Sequence, residues 1–457
     1  MKTYRYIFLT TALFTILFYE ESIGLNLGIL GIIYAVLTLY KTPEKNRIKT
    51  FLLLFVTSVL SSIAFAWYAD FPSFLAVMIS LLLLSYRAKN KRMKILLLIP
   101  VVVVNICTFI CRFFSFQSWL PKINVSGVGQ KLVAFILIPF ILLVVFFGIY
   151  SVGSNHFANL FANLELTVNL WEIICLSVLG FFIAFNYWNY DVEKYIYQQN
   201  HVLNNDFGEK DRIQKASYLF MELDVERMSG VISFLLLNVL LIFFIITYSY
   251  EQFYEVIKTP VQLSEETHEG VNAVVLSIIM AILVIMFYFK GGFNFDSKAK
   301  FLMILAKTWI FLNAILVCAT LAKNTEYIIN YGFTYKRLGV YGFLILSLIG
   351  LILTFVKIQK KKRNAYLFNT MTWWLYGTIL ACSYINWGGI ITSQNVKRSD
   401  FVFNYHLTSI HFNDKILLKY ADEKQDVKLK KQILDKVNKE NSGSFLSKIL
   451  YYETLKK

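Results

Sequence analysis

Gly230-Val-Ile-Ser-Phe-Leu-Leu-Leu-Asn-Val-Leu-Leu-Ile-Phe-Phe-Ile-Ile-Thr-Tyr248 runs for nineteen residues without a charge. At 1.5 Å per residue an α-helix of that length spans about 28 Å, close to the ~30 Å hydrocarbon core of a bilayer. The stretch is therefore read as a membrane-crossing helix. Working outward from it, runs of the same kind recur between charged punctuation along most of the chain.

Before it lie Tyr4–Tyr19, Ile23–Tyr40, Lys49–Trp67, Phe71–Tyr86, Ile95–Ile110, Leu132–Tyr150 and Leu170–Tyr187. After it come Val271–Phe289, Phe301–Ala322, Leu338–Val356 and Leu367–Ile385, twelve candidates in all. The expected fold is an all-α polytopic transmembrane helix bundle of about 11–13 crossings with a small helical C-terminal tail domain. Four parts follow: N-terminal transmembrane helices over 1–188, a polar connector over 189–229, C-terminal transmembrane helices over 230–386, and an amphipathic helical tail over 387–457.

Composition agrees. Hydrophobic residues make up 57% of the chain and charged residues 16%, against about 25% charged in soluble domains. The net charge of +16 sits mostly in short loops beside apolar runs, where Lys and Arg set orientation and meet anionic headgroups. The expected partners are thus membrane lipids, with a protein partner conceivable at the tail, and nucleic acid is excluded. Glu20 and Glu21 follow the first apolar run where a cleavable leader would carry small residues, so that run reads as a retained helix. The five cysteines, all inside apolar runs and without a Cys-x-x-Cys pair, read as buried small hydrophobes.

The positive-inside rule places the N-terminus in the cytoplasm: loops Lys41–Lys49 and Arg87–Lys94 are basic, and Glu20, Glu21 and Asp70 mark the other side. Counted from the C-terminal end, Lys290–Lys300 and Lys357–Arg363 also belong inside and Glu251–Glu269 outside. Twelve simple crossings cannot satisfy both ends. The parity break lies between Lys94 and Arg227, and Ile95–Leu120, with Pro100, Arg112 and a run of aromatic residues, is the suspect. Either that segment returns to its own side or a neighbouring stretch crosses in addition. An odd count puts the tail opposite the N-terminus.

Five places carry a family likeness: Phe18-Tyr-Glu-Glu-Ser-Ile-Gly-Leu-Asn26; Ile138-Pro139 through Phe147 to Phe157; Glu269-Gly270; Tyr327-Ile-Ile-Asn-Tyr-Gly-Phe-Thr334 with Arg337; and Ile385-Asn386 through Ile390 to Asn395. In these the chain resembles the bacterial multipass membrane proteins of the domain-of-unknown-function 4153/4173 family. It departs from the pattern at Trp387-Gly388-Gly389, where a proline and an acidic turn are expected. The resemblance implies a bacterial inner-membrane location and brings no substrate, reaction or catalytic residue.

An ionisable residue within a membrane segment costs roughly 2.5–3.5 kcal/mol on insertion scales, so each is a functional candidate. Lys307, followed by Asn313, is the clearest; its long stem also suits snorkelling to the nearer interface. Pro100 and Pro139 interrupt apolar runs, as helix breaks near transporter sites do. These four are the candidates for a substrate path. Arg112, Tyr331, Tyr335, Lys336 and Arg337 are interfacial or lipid-headgroup candidates, since rings and cations gather at the headgroup layer. Glu172 suits a helix start. His268 with Glu265, Glu266 and Glu269 lacks a zinc spacing, and His406 and His411 read as surface residues. No catalytic residue, metal ligand or cofactor motif is found, since Walker loops, nucleophile elbows and paired catalytic carboxylates are all missing. The leading expectation is a transporter or channel-like protein for a small solute, ion or lipid. The alternatives are a scaffold or sensor subunit recruiting partners through connector and tail and, third, a membrane enzyme acting on a lipid-linked substrate.

Overall fold

The computed structural model describes residues 2–91, 93–120, 135, 138–154, 169–218, 220–254 and 260–455, and among them the only regular structure is helical. The long elements are α1 (Thr3–Phe18), α2 (Leu25–Lys41), α3 (Lys49–Tyr68) and α4 (Phe71–Lys89), then three short helices, α5 (Leu98–Cys107), α6 (Phe109–Phe114) and α7 (Phe116–Trp119). They continue with α8 (Ile138–Gly153), α9 (Leu170–Trp188), the connector helix α10 (Lys194–Val202), α11 (Leu223–Tyr254), α12 (Pro260–Tyr288), α13 (Lys300–Tyr331), α14 (Tyr335–Gln359) and α15 (Asn364–Tyr384). Five short tail helices follow: α16 (Trp387–Asn395), α17 (Phe403–Thr408), α18 (Asp414–Glu423), α19 (Val427–Glu440) and α20 (Leu450–Glu453). Seven of the described helices are long and apolar enough to cross a membrane: α3, α4, α9, α11, α12, α13 and α14; α1 and α2 are apolar but shorter. The chain is an all-α polytopic bundle. Of the expected span Leu132–Tyr150, residues 132–134, 136 and 137 lie outside the described residues.

Contacts at the helix ends fix which end of the bundle each helix starts from. The start of α1 meets the end of α9, with the Tyr6 and Trp188 rings 5.0 Å apart. Lys41 at the end of α2 reaches the Trp188 carbonyl at 3.4 Å, and Lys89 at the end of α4 reaches the Tyr190 carbonyl at 2.7 Å. These ends gather at the connector. At the far end, the Glu20 amide after α1 donates to Glu172 at the start of α9 (2.9 Å), and Gly148 of α8 lies against the Trp171 ring. Asn364, opening α15, binds the Met286 carbonyl near the end of α12 (3.0 Å), while Tyr384, closing α15, reaches Ser61 of α3 (3.0 Å).

The segment Ile95–Leu120 does not cross. Its first residue-pair anchor, the Lys94 amide on Asn200 (2.9 Å), and a later one, Arg112 on the Asn189 carbonyl (2.6 Å), both rest on the connector. Between them Asn105 clamps Asp191, donating to its carbonyl (2.7 Å) and accepting from its amide (2.8 Å). The single helix expected over Ile95–Ile110 is broken at Thr108, and both flanks stay at the connector end. The N-terminus lies at the connector end, and the tail meets the α1–α2 loop at the other. The alternative extra crossing by Phe157–Leu170 falls almost wholly outside the described residues.

Two cores form. One gathers α1–α4 and α9 around Tyr34, Phe51, Phe65 and Phe185; the other gathers α11–α14 around Phe234, Ile285, Leu302 and Leu316. α15 bridges them, packing on α3, α4 and α14. Its seam is built of hydroxyls: Tyr376 pairs with Ser80 (2.8 Å) and donates to Thr57 (2.8 Å), and Ser61 meets both Tyr384 (3.0 Å) and Ser80 (3.3 Å). Lipid tails are as apolar as leucine, so such seams hold by close packing and interhelical hydrogen bonds.

The connector is a strap rather than a free loop. Arg363 binds the Asn205 carbonyl (3.0 Å) and pairs with Asp211, Lys362 pairs with Asp206, and Asn369 holds the Leu203 carbonyl (2.8 Å). Further on, Gln214 and Arg227 share Asp296, at 2.9 and 2.5 Å, and Ser217 donates to the Lys290 carbonyl at 3.0 Å. α11 begins at Leu223, a full two turns before the apolar run at Gly230, because those charged turns are held by this strap.

The five cysteines, expected to be buried, are all exposed on the outside of the bundle. In a membrane that face meets lipid, so an apolar thiol gains as much there as in a core.

Candidate functional site

α1, α2, α4, α5 and α9 enclose a cavity of about 630 Å³. Its walls are apolar because each helix turns one stripe inward: Phe14 and Phe18 from α1, Leu27 and Leu30 from α2, Val77 and Leu81 from α4. Val101 and Ile106 of α5 and Leu179 and Phe182 of α9 complete them. Ile106 of α5 and Leu179 of α9 line the cavity and are each about half exposed among the described residues (50% and 49%).

Polar groups stand at the two ends. Towards the connector, Asn105, Asn186 and Tyr190 are spoken for: Asn105 clamps Asp191, Asn186 accepts from Arg112 (2.7 Å), and Tyr190 donates to the Ser85 carbonyl (3.0 Å). Towards the tail, Glu21 and Glu172 are the only charged residues in the lining among the described residues. The cavity is thus a dry slot with a carboxylate mouth, the form that suits an apolar body with a polar head.

The mouth is bordered by the tail. Ser22 donates its amide to Ser447 (2.8 Å), Leu25 donates to the Lys448 carbonyl (3.0 Å), and Glu21 accepts from the hydroxyls of Ser444 and Ser447. Those two donors hold the Glu21 carboxyl below its ordinary range. A Cβ on Gly24 would stand 2.8 Å from the Lys448 carbonyl oxygen, so the backbones approach as only glycine permits. Asn26, fully buried, accepts from the Gly24 and Leu27 amides (both 2.8 Å) and donates to the Leu17 and Ser22 carbonyls (3.1 and 2.9 Å), which sets the loop's shape.

A second junction joins two of the quoted motifs. Asn395 accepts from the Phe333 amide (2.8 Å) and donates to its carbonyl (2.9 Å), and Arg398 reaches the Ile329 and Asn330 carbonyls. Gly332 makes the turn possible with φ +76°. Behind it, His406 is buried (2% exposed) and not at the surface as its polarity suggested; His411 is exposed. The Thr392 hydroxyl lies 2.9 Å from its Nδ1 and the Asn395 amide 3.2 Å from its Nε2, and burial lowers its pKa to about 4.

The residues singled out in the sequence fall elsewhere. Lys307 hydrogen-bonds Gln359 (2.5 Å) at the connector end of α14, with its ammonium over the Phe355 ring, and Asn313 is fully buried, donating to the Trp309 carbonyl (2.8 Å). Pro100 and Pro139 stand in the first turns of α5 and α8, where a missing N–H costs nothing. Arg112 touches the cavity's connector end through Asn105 and Asn186, with its guanidinium also over Phe185. Tyr335 accepts from the His411 amide (3.3 Å), Arg337 stacks on Tyr327 and holds the Tyr331 carbonyl (2.7 Å), and Lys336 borders a shallow depression beside Val271 and Gly339. The carboxylates and His268 at the start of α12 lie outside the described side chains.

Sequence reasoning missed Lys357, read as loop but fully buried in α14 with its ammonium 2.5 Å from the Phe289 carbonyl, and Glu226, fully buried on the Ser217 amide (2.8 Å). The charge run Lys360–Arg363 masked Lys357 and the charged connector end Glu222–Arg227 masked Glu226, since a loop and a buried helix end read alike in composition. Among the described residues no group of three metal-ligating side chains occurs.

The family model described as Domain of unknown function (DUF4153) matches residues 9–411, which takes in the cavity lining and the Asn395–Phe333 junction but not Ser444, Ser447 or Lys448. The chain belongs to that family. No curated protein and no solved structure matches it. The stretches Phe18–Asn26, Tyr327–Thr334 and Ile385–Asn395, on which the resemblance rests, all lie at the tail end of the bundle, the last two bonded to each other and the first bonded to the tail beyond.

Proposed function

We propose that this DUF4153 protein is an inner-membrane transporter-class protein that takes a lipid-like amphiphile from the bilayer into the cavity between α1, α2, α4, α5 and α9 and hands it toward the tail end. The apolar slot supports this reading above any other feature: its lining suits molecules that already dwell in the membrane and offers no hydrated path for an ion. Lys41, Arg47, Lys89, Lys94, Lys290 and Lys362 cluster at the connector end, which supports placing that end and the N-terminus in the cytoplasm and the tail outside. A scaffold role draws less support, because the connector and much of the tail bind the bundle itself.

Reconstitution into liposomes carrying a fluorescent single-chain probe tests this. Transfer of the probe between leaflets should exceed that of empty liposomes, and Leu179→Trp, which fills the slot from α9, should cut the excess at least fivefold. Equal transfer with and without the protein overturns the reading.

A further inference from the structure

The cavity's size and the placement of its charges say more about the occupant, on the footing that it takes an amphiphile at all. A cavity of about 630 Å³ has room for at least one long acyl or alkyl chain. Charge then selects the head. Among the described residues Glu21 and Glu172 are the only acidic or basic side chains in the lining, both stand at the tail-end mouth, and they are neighbours: Glu172 accepts the amide of Glu20, next in sequence to Glu21.

A phosphate or carboxylate head brought there would face two carboxylates of like charge, which repel it. Arg112 offers no rescue from the other end, because its guanidinium already serves the Asn105 and Asn189 carbonyls and the Asn186 amide oxygen. The hydroxyls of Ser444 and Ser447 are turned onto Glu21 and hold it ionised.

From these we infer that the ligand is an amphiphile with an uncharged or cationic head, its chain in the slot and its head at the Glu21 and Glu172 mouth beneath the tail. Anionic heads are disfavoured by the two carboxylates.

The test uses the purified full chain in neutral detergent and a displaceable fluorescent chain probe, with hexadecylamine, hexadecanol and palmitate as competitors of equal chain length. Hexadecylamine and hexadecanol should displace the probe at least tenfold better than palmitate at pH 7.5. Glu21→Gln with Glu172→Gln should bring palmitate to within about threefold of hexadecanol. Equal competition by all three, or a palmitate preference, overturns the head assignment and leaves the cavity reading standing. Failure of all three to displace the probe, with Leu179→Trp binding it as well as the parent chain, overturns the cavity reading itself.

Discussion

The amide of Ser22 donates to the hydroxyl of Ser447 at 2.8 Å, joining positions 425 residues apart. This bond, the Leu25 amide on Lys448 and the two serine hydroxyls on Glu21 make a clasp between the α1–α2 loop and the last turn of the tail. The clasp depends on Gly24, whose added side chain would meet the Ser447 and Lys448 backbone. Gly24→Val should therefore release the tail without unfolding the bundle. Limited proteolysis in membranes should then cut between 440 and 450 at least tenfold faster, with the size-exclusion profile unchanged. An unaltered cleavage rate would show that the tail is held elsewhere.

Acid should loosen the same tail by another route. The neighbours of His406 assign its tautomer: Asn395 presents N–H to Nε2, so Nδ1–H donates to Thr392, whose hydroxyl oxygen also accepts from Asn413 at 2.8 Å. A second proton would set two donors face to face in a buried site. Burial lowers the folded pKa from 6.5 to about 4, so the fold favours the neutral ring. Its contribution is complete above pH 6.5 and is lost as pH falls from 6.5 through 4. Proteolysis of the tail with an acid-tolerant protease should accelerate across that window, and His406→Gln should flatten the dependence.

The path of the chain gives a labelling pattern. Cysteines placed at Lys2 and Ser399, in a chain with its five native cysteines replaced, should react with a membrane-impermeant maleimide from opposite faces, since α1 starts at the connector end and the tail meets the loop at its far end. Cysteines at Lys2 and Lys91 should react from the same face, because both lie at the connector end. Labelling of Lys2 and Ser399 from one side would require a further crossing within the chain.

Much of this was written plainly in the sequence, and the parts that were not share a cause. Ionic punctuation between apolar runs gives the helices, and the charges of the loops give an odd crossing count. The element that does not cross, Ile95–Leu120, is as apolar as those that do; Asn105 and Arg112 hold it at the connector through single hydrogen bonds to residues some eighty positions away. The cavity likewise has no motif, being assembled from one or two apolar residues per turn of five helices. Lys307, conspicuous in its run, proves to reach the Gln359 side chain, whereas Lys357, inconspicuous at a basic helix end, is the lysine the fold buries. Tertiary placement decides which charge is hidden, and one-dimensional spacing does not carry it.

The hydroxyl seam of α15 should be worth little per bond and matter through its number. Interhelical hydrogen bonds in membranes average about 0.6 kcal/mol and reach about 1.7, because the separated helices also find partners. Tyr376→Phe removes the hydroxyl shared by Ser80 and Thr57, and Tyr384→Phe removes that on Ser61 and the Thr57 carbonyl. Each should lower stability in denaturant titration by about 0.5–1.5 kcal/mol. Because both act through Thr57 and the Ser61–Ser80 pair, the double variant should depart from additivity. Strict additivity would mean that the hydroxyls work as separate bonds.

Lys307 and Lys357 offer a last contrast. Lys307→Met exchanges a stem that reaches Gln359 near the bundle end for an apolar one of similar length, so the melting temperature in detergent should move by no more than about 1 °C, which for a chain of this size is ~1 kcal/mol. Lys357 sits fully buried with the Phe289 carbonyl as its one hydrogen-bond acceptor. Replacing a buried charge with an apolar side chain of similar volume is often neutral or stabilising by roughly 1–4 kcal/mol, against about 1 kcal/mol for leaving the carbonyl without its donor. Lys357→Met should thus fold at least as stably as the parent chain. Lys357→Glu keeps a charge, reverses its sign and sets it against that carbonyl, a change in the class that costs about 3–5 kcal/mol. It should leave little folded protein after extraction. A Lys357→Met chain as unstable as Lys357→Glu would show that the ammonium itself holds α14 to the end of α12.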